Sequence, residues 1–179
     1  MEQYAALSDL CRSLEISKFH VEQWISRKIF VPRDEVARGQ RRLFDHTDAM
    51  RLVILTWLSE SGVSAGAVGK HISPFGFFGH SAEETYLVFW TGLADTASSN
   101  LKVFLPGQIY SDTVRKSQFP MWLSDRDRNT VLLISLDQVD LQVRQAFAGL
   151  REQGKVIELP SPRYASVADK VAAFYCVTS

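Results

Sequence analysis

The sequence predicts a mixed fold, α/β or α+β overall, in which an N-terminal all-α winged helix-turn-helix precedes a small mixed α/β domain. Helical periodicity runs through the first third of the chain and stops at SPFGFFGHS, residues 73–81, where Pro74 and two glycines disfavour a helix. Beyond this stretch, short segments rich in β-branched and aromatic residues surround one amphipathic helix pattern. We therefore expect one domain over 1–73 and another over 82–179, with residues 74–81 as the joint between them.

The composition bounds the class of protein without selecting a function. Hydrophobic residues make up 46% of the 179-residue chain, and twenty basic residues balance twenty acidic ones. No secretory signal pattern and no apolar run of roughly 18 residues is visible, so we expect a cytoplasmic protein without a membrane partner. Cys11 and Cys176 are far apart and have no ligand-like spacing, which disfavours a disulfide framework and a metal cluster.

Two short helices joined by a tight turn are expected near the N-terminus. The apolar face of the first helix consists of Leu7, Leu10, Cys11 and Leu14. Ser17 can cap the second helix, in which Val21, Trp24 and Ile25 are spaced to pack inward. Such a pair is typical of a helix-turn-helix, although a plain two-helix corner fits the same pattern.

The second predicted helix turns polar side chains outward near its start. In DNA-binding helix-turn-helix proteins, this first turn usually enters the groove. Candidate DNA contacts on this helix are therefore Ser17, Lys18, His20 and Gln23. Glu22 can accept a hydrogen bond from a cytosine amino group, or it can face solvent.

The segment that follows is the most basic part of the chain. Residues 27–42 contain six basic and two acidic residues, a net charge of +4, so the rest of the chain carries −4. The pattern predicts a two-stranded wing, with one strand over Ile29–Val31 before Pro32 and the other over 41–44. A local basic surface on a neutral protein is typical of phosphate binding. The candidate phosphate contacts are Arg27, Lys28, Arg38, Arg41 and Arg42.

The residues above resemble the DNA-binding domain of the MerR family of transcription regulators, over residues about 5–72. The matching features are the helix over 7–14, Ser17, Val21, Trp24, IFVP at 29–32, RLF at 42–44 and DAMRLVILTWLSESGVSAGAV at 48–68. The last stretch is similar to the family's third helix, its glycine turn at Gly62 and its fourth helix capped by Ser64. The resemblance implies a winged helix-turn-helix and a transcriptional regulator that binds double-stranded DNA.

Two departures limit what the resemblance implies. Family members commonly carry an arginine and two aromatic residues where this chain has Glu22, Gln23 and Trp24, so only the second aromatic is retained. The long dimerisation helix of the family is replaced by the Pro- and Phe-rich joint, and neither cysteine stands near that position. Promoter distortion in response to a metal is therefore not carried over to this chain.

The C-terminal part is expected to contain several strands and two helices. The expected strands are TYLVFWT at 85–91, LKVFL at 101–105, TVLLISL at 130–136 and KVIEL at 155–159. Asp137 can cap a helix that ends at Gly154, with an apolar face made of Val139, Val143, Ala146, Phe147 and Leu150. Strand, helix and strand with short links favour a β-α-β unit with parallel pairing. A last helix is expected from Ser166 to about Cys176.

Motifs for catalysis and metal binding are not found in the sequence. His46, beside Asp45 and Asp48, is placed to help cap a helix, and His71 and His80 have no ligand-spaced partner. There is no Gly-rich phosphate loop and no nucleophile elbow. The SDRDRN stretch at 124–129 is typical of a solvated hairpin tip. We therefore expect no enzyme activity, no cofactor and no metal site.

The sequence as a whole predicts a DNA-binding transcriptional regulator that acts as a homodimer on an inverted-repeat site. We expect the dimer to form through residues 75–179, whose aromatic side chains can make a core, a dimer interface or an effector pocket. RNA polymerase and a small effector are further candidate partners. One alternative is an architectural DNA-binding protein similar to excisionases or phage DNA-packaging subunits. Another is an enzyme within residues 82–179 that carries a DNA-binding module.

Overall fold

The computed structural model of the protein describes residues 2–33, 42–69, 72, 85–92, 109–116 and 128–159. The helices in these ranges are α1 (Leu7–Ser13), α2 (Lys18–Ser26), α3 (His46–Glu60), α4 (Ala65–Val68) and α5 (Leu136–Glu152). The strands are β1 (Glu2–Ala6), β2 (Leu43–Asp45), β3 (Thr85–Gly92), β4 (Ile109–Arg115), β5 (Arg128–Ser135) and β6 (Val156–Leu159). Helices and antiparallel strands together form a mixed fold, which agrees with the predicted α+β class.

The strands form two three-stranded sheets, and every pair described is antiparallel. In the first sheet β1 lies between β2 and β6, so that Ala5 pairs with Phe44 on one side and with Val156 on the other. In the second sheet β3 lies between β4 and β5. The predicted parallel pairing is therefore wrong for β5 and β6, because α5 leads the chain from one sheet to the other.

The strand predicted over Ile29–Val31 is not formed. Phe30 is instead buried and stacks on Phe44, with the ring centroids 6.4 Å apart. Residues Leu43–Asp45 do form a strand, but this strand pairs with β1. Because residues 34–41 lie outside the described ranges, the predicted wing is not confirmed.

The buried core combines helices from the N-terminal and C-terminal parts of the chain. Leu52, Ile54, Leu55 and Leu58 of α3 are completely or almost completely buried. The predicted apolar face of α5 is confirmed, since each of its five members is buried, and this helix packs against α1 and α3. At the contact with α1, Ser13 Oγ donates a hydrogen bond to the carbonyl oxygen of Ala146 at 3.2 Å.

Side-chain caps mark the starts of α2, α3 and α5, whereas Ala6 before α1 and Ser64 before α4 make no side-chain cap hydrogen bond, so the expected cap at Ser64 is wrong. Asp45 caps α3 through a 2.8 Å hydrogen bond from the Asp48 N–H to its Oδ1 atom, as expected for this cluster. The cap of α5 is Ser135, which accepts a hydrogen bond from the Gln138 N–H, and not Asp137 as predicted. The Asp137 carboxylate instead accepts the Thr85 N–H at 2.9 Å and so ties the helix to β3.

Several predicted features fall outside the described residues. They are the strand at 101–105, the helix from Ser166 to Cys176, the hairpin tip at 124–129 and the joint at 74–81, with the domain boundary placed there. In the part of the chain that is described, no helix is both long and apolar enough to cross a membrane.

Candidate nucleic-acid interface

The two short helices predicted near the N-terminus are confirmed, as is the tight turn between them. The end of α1 is closed by hydrogen bonds from the Ile16 N–H to Cys11 O at 2.8 Å and from the Glu15 N–H to Arg12 O at 3.4 Å. Ser17 then caps α2 by accepting the His20 N–H at 3.5 Å. The turn therefore holds α2 by local hydrogen bonds at its first residues.

Trp24 anchors the inner face of α2. Its side chain is 8% exposed, and Val21 beside it is completely buried. The carbonyl oxygen of Trp24 also accepts the N–H groups of Ile29 and Phe30, at 2.9 and 3.2 Å. One residue thus fixes both the orientation of α2 and the path of the chain that leaves it, in agreement with the predicted inward position.

The predicted DNA-contacting residues of α2 lie on its solvent side. Lys18 and His20 are exposed, and Gln23 is partly exposed. Lys18 Nζ lies 3.4 Å from Glu22 Oε1, and the His20 ring stands 6.4 Å from the Trp24 ring. An exposed ion pair of this kind contributes at most about 1 kcal/mol, so Lys18 can exchange Glu22 for another anion at little cost.

Phe19 is an exposed aromatic residue on the same face, and the sequence reasoning missed it. Its side chain is 64% exposed. Successive helical residues are turned by roughly 100°, so Phe19 lies about 170° around α2 from the midpoint between Val21 and Trp24. The helical spacing in the sequence already places Phe19 opposite the buried residues. An apolar residue is not selected, however, when only polar side chains are considered as groove contacts.

Helices α1, α2, α3 and α5 end alike, with one residue in the left-handed backbone region. In α3 and α5 this residue is glycine, at Gly62 and Gly154. In α1 and α2 it is Glu15 and Lys28, with φ angles of 58° and 57°. This conformation costs a residue with a side chain roughly 1–2 kcal/mol, so local stability does not favour lysine at position 28.

The predicted phosphate contacts are described only in part. Arg27 and Lys28, at the end of α2, and Arg42, just before β2, are all exposed. Arg38 and Arg41 lie outside the described residues. Two of the predicted phosphate contacts, Arg27 and Lys28, are therefore exposed directly after the C-terminal end of α2.

A buried charge network fixes residues 31–33, within the basic segment that follows α2. The Arg33 N–H donates to both carboxylate oxygens of Asp48, at 3.1 and 3.3 Å, and Arg33 Nη1 donates to Asp45 Oδ2 at 2.9 Å. Arg51 Nη1 donates to Asp48 Oδ1 at 3.2 Å and to the carbonyl oxygen of Val31 at 2.9 Å. Arg33 contributes to the +4 charge of residues 27–42. Its charge is therefore neutralised by the carboxylate of Asp45, the residue that caps α3.

Burial changes the protonation of this network. Asp48 is 1% exposed, and burial, together with the nearby Asp45 carboxylate, outweighs the attraction of Arg33 and Arg51 and raises the pKa of Asp48 from 3.8 to about 7. Burial also lowers the pKa of Arg51, whose guanidinium lies 4.6 Å from the centre of the Phe30 ring. The Arg51 Nε atom has no hydrogen-bond acceptor within the described part of the chain. The network thus holds residues 31–33 in place, but it does so by removing the charged groups of Asp48 and Arg51 from water, which is unfavourable.

The described residues give little indication of a site for a metal or a small effector. No group of three or more His, Cys, Asp or Glu side chains in the described ranges is arranged to hold a metal ion. A shallow groove of about 340 Å³ runs between the end of α3 and β5. It is lined by Trp57, Leu58, Glu60, Ser61, Leu132, Leu133 and Ile134. This lining lacks a cluster of polar groups that would identify a ligand.

The resemblance to MerR-type regulators remains a prediction from the sequence. The described order of α1, α2, α3, glycine turn and α4 is the order of elements expected from it. The predicted wing, which is also part of that pattern, is not confirmed. No protein-family model matches the chain, and no curated protein matches it either.

Proposed function

We propose that this protein is a transcriptional regulator that binds double-stranded DNA through the outward face of α2. The observation that supports this proposal best is the division of α2 into two faces. Val21 and Trp24 are buried on one side of the helix. Lys18 and His20 on the helix, and Arg27 just after it, are exposed to solvent. An α-helix fits the major groove of B-form DNA, where exposed side chains reach base edges and basic residues at its ends reach phosphates.

The proposed DNA-bound form is a homodimer on an inverted repeat. A single module of this size buries only about 600–1,000 Å² on DNA, which limits its affinity and specificity. Two copies related by a twofold axis double the contact and require two half-sites of opposite orientation. We place the dimer contact in residues 75–179. Because α5 packs against α1 and α3, and β6 pairs with β1, the oligomeric state should be measured on the full chain.

The salt dependence of DNA binding tests the proposed interface. Changing Arg27 and Lys28 together to Ala should lower the slope of log Kd against log salt concentration by nearly two. Each phosphate contact contributes about 0.9 to this slope on duplex DNA. The affinities should be measured by fluorescence anisotropy with a duplex selected from random sequences by the wild-type protein.

The matched control changes Arg144 and Arg151 to Ala. Both arginines are exposed on α5 and paired with acidic residues, so the slope should stay at the wild-type value. Equal slopes for both double variants would contradict the proposed interface. Light scattering on the protein–duplex complex should give two chains for each inverted repeat. Footprinting upstream of the protein's own gene, followed by transcription in vitro, then tests the regulatory part of the proposal.

Replacing Lys28 with Gly should separate stability from DNA binding. The change should raise the free energy of unfolding by roughly 0.5–1 kcal/mol, because glycine adopts the left-handed conformation without steric cost but is more flexible in the unfolded chain. The same change should lower the salt slope by about 0.9, because one phosphate contact is lost. Urea denaturation and anisotropy titrations measure the two effects.

Glu15→Gly is the control for this separation, since Glu15 has nearly the same φ angle at the end of α1. It should raise the free energy of unfolding by a similar amount and leave the salt slope unchanged. If Lys28→Gly binds DNA with the wild-type slope, Lys28 makes no phosphate contact.

A further inference from the structure

Phe19 occupies the centre of the outward face of α2. Its side chain is 64% exposed, and its ring centroid lies 6.1 Å from that of His20. Lys18 and His20 lie to either side of this position on the helical wheel, and they lean towards Glu22 and Trp24 respectively. When the outward face of α2 enters a groove, Phe19 is therefore the side chain that points most directly at the bases.

The floor of the major groove offers one apolar group to such a side chain. Guanine, cytosine and adenine present hydrogen-bond donors and acceptors there, whereas thymine also presents its 5-methyl group. An exposed phenyl ring cannot make the hydrogen bonds that the polar edges require. Its contact with a methyl group removes apolar surface of both partners from water, which is favourable.

We infer that Phe19 contacts the 5-methyl group of a thymine and so determines base specificity at one position of each half-site. This inference rests on the proposed DNA-binding function. The surroundings of Phe19 match a nucleic acid in charge, because Lys18 at the start of α2 and Arg27 and Lys28 just after its end are exposed, against one exposed carboxylate on the helix, Glu22. A single exposed aromatic residue is ordinary on a protein surface, so its position opposite the buried stripe carries the inference.

The test removes the methyl group from the DNA and the ring from the protein, separately and together. The duplex selected by the wild-type protein is remade with deoxyuridine in place of each thymine in turn. Wild type should lose about fourfold in affinity at one thymine in each half-site, as expected from the roughly 0.8 kcal/mol of one buried CH₂ group. Phe19→Ala should bind the thymine and uracil duplexes equally. Phe19→Leu should keep part of the discrimination, and Lys18→Ala should keep all of it.

The outcomes separate this inference from the proposed function. If wild type binds duplex DNA with a salt-dependent affinity but no thymine-to-uracil change matters, or if Phe19→Ala discriminates as wild type does, the inference is overturned and DNA binding stands. If wild type shows no salt-dependent binding to any duplex, the proposed function fails and the inference fails with it. Loss of discrimination in Phe19→Ala alone, with the wild-type salt slope, supports the contact.

Discussion

Replacing Trp24 with Ala should lower the free energy of unfolding by about 3–5 kcal/mol, the range found for removing a large aromatic side chain from a core. The Trp24 side chain is almost completely buried, so the variant loses this packing, while the backbone carbonyl that holds the chain leaving α2 is retained. Domains of this kind are stable by roughly 5–15 kcal/mol, so a large part of the total stability should be lost. Urea denaturation should show a lower midpoint with an unchanged slope, and DNA binding should weaken because α2 loses its support.

The control for this prediction is Phe19→Ala on the same helix. Phe19 is exposed, so its removal should change the free energy of unfolding by no more than about 0.5 kcal/mol. Similar unfolding midpoints for the two alanine variants would contradict the anchoring role of Trp24. The pair also distinguishes a loss of DNA binding through unfolding from a loss through a missing contact.

Stability should fall as the pH rises from about 4 to about 7, because of Asp48. The pKa of Asp48 is raised from 3.8 to about 7 in the folded protein, so the folded state binds more protons than the unfolded chain within this window. Its contribution to stability is therefore complete below pH 4, decreases through the window and is absent above pH 7. The total change should be about 4 kcal/mol, at about 1.36 kcal/mol for each unit of pKa. Urea denaturation at several pH values measures it.

Asp48→Asn should lack this decrease, because its side chain does not titrate. Asp45, Arg33 and Arg51 face the same carboxylate and remain in the variant, so the difference between the two pH profiles isolates Asp48. Asp137→Asn is the matched control, since exposed Asp137 also accepts a backbone N–H from a distant residue. It should keep the decrease between about pH 4 and about pH 7, because Asp48 is unchanged in this variant. Parallel profiles for wild type and Asp48→Asn would show that Arg33 and Arg51 offset the effect of burial, so that the pKa of Asp48 is the same in the folded and unfolded states.

The Asp48 network also bears on the proposed interface. It fixes residues 31–33, and the chain then enters the segment that carries Arg38 and Arg41. Asp48→Asn should therefore be assayed for DNA binding as well as for stability, at a pH where both proteins are folded. A weaker affinity with an unchanged salt slope would indicate that the network positions this segment without adding or removing a phosphate contact.

Part of the candidate site could be predicted from the sequence because its signals are local. The cap at Ser17 and the inward spacing of Val21 and Trp24 place Lys18 and His20 on the solvent side without any tertiary information. The proposed role of Phe19 could not be reached from residue type alone, because an apolar residue is not an expected contact and only its helical position indicates one. The neutralisation of Arg33 by Asp45 could not be predicted, since it depends on how the chain folds back over the start of α3.

By itself, the sequence determined where most of the described helices and strands lie, although not β1 or β4, and which faces of α1, α2 and α5 are buried. Caps, helix-ending glycines and apolar periodicity act over a few residues, so α2, α3 and α5 could be placed from their own segments. Only the tertiary structure decided that β2 and β6 pair with β1, because a strand pattern does not specify which sheet edge is free. It also decided the pKa of Asp48, because desolvation comes from groups that are distant in the chain and packed around the carboxylate.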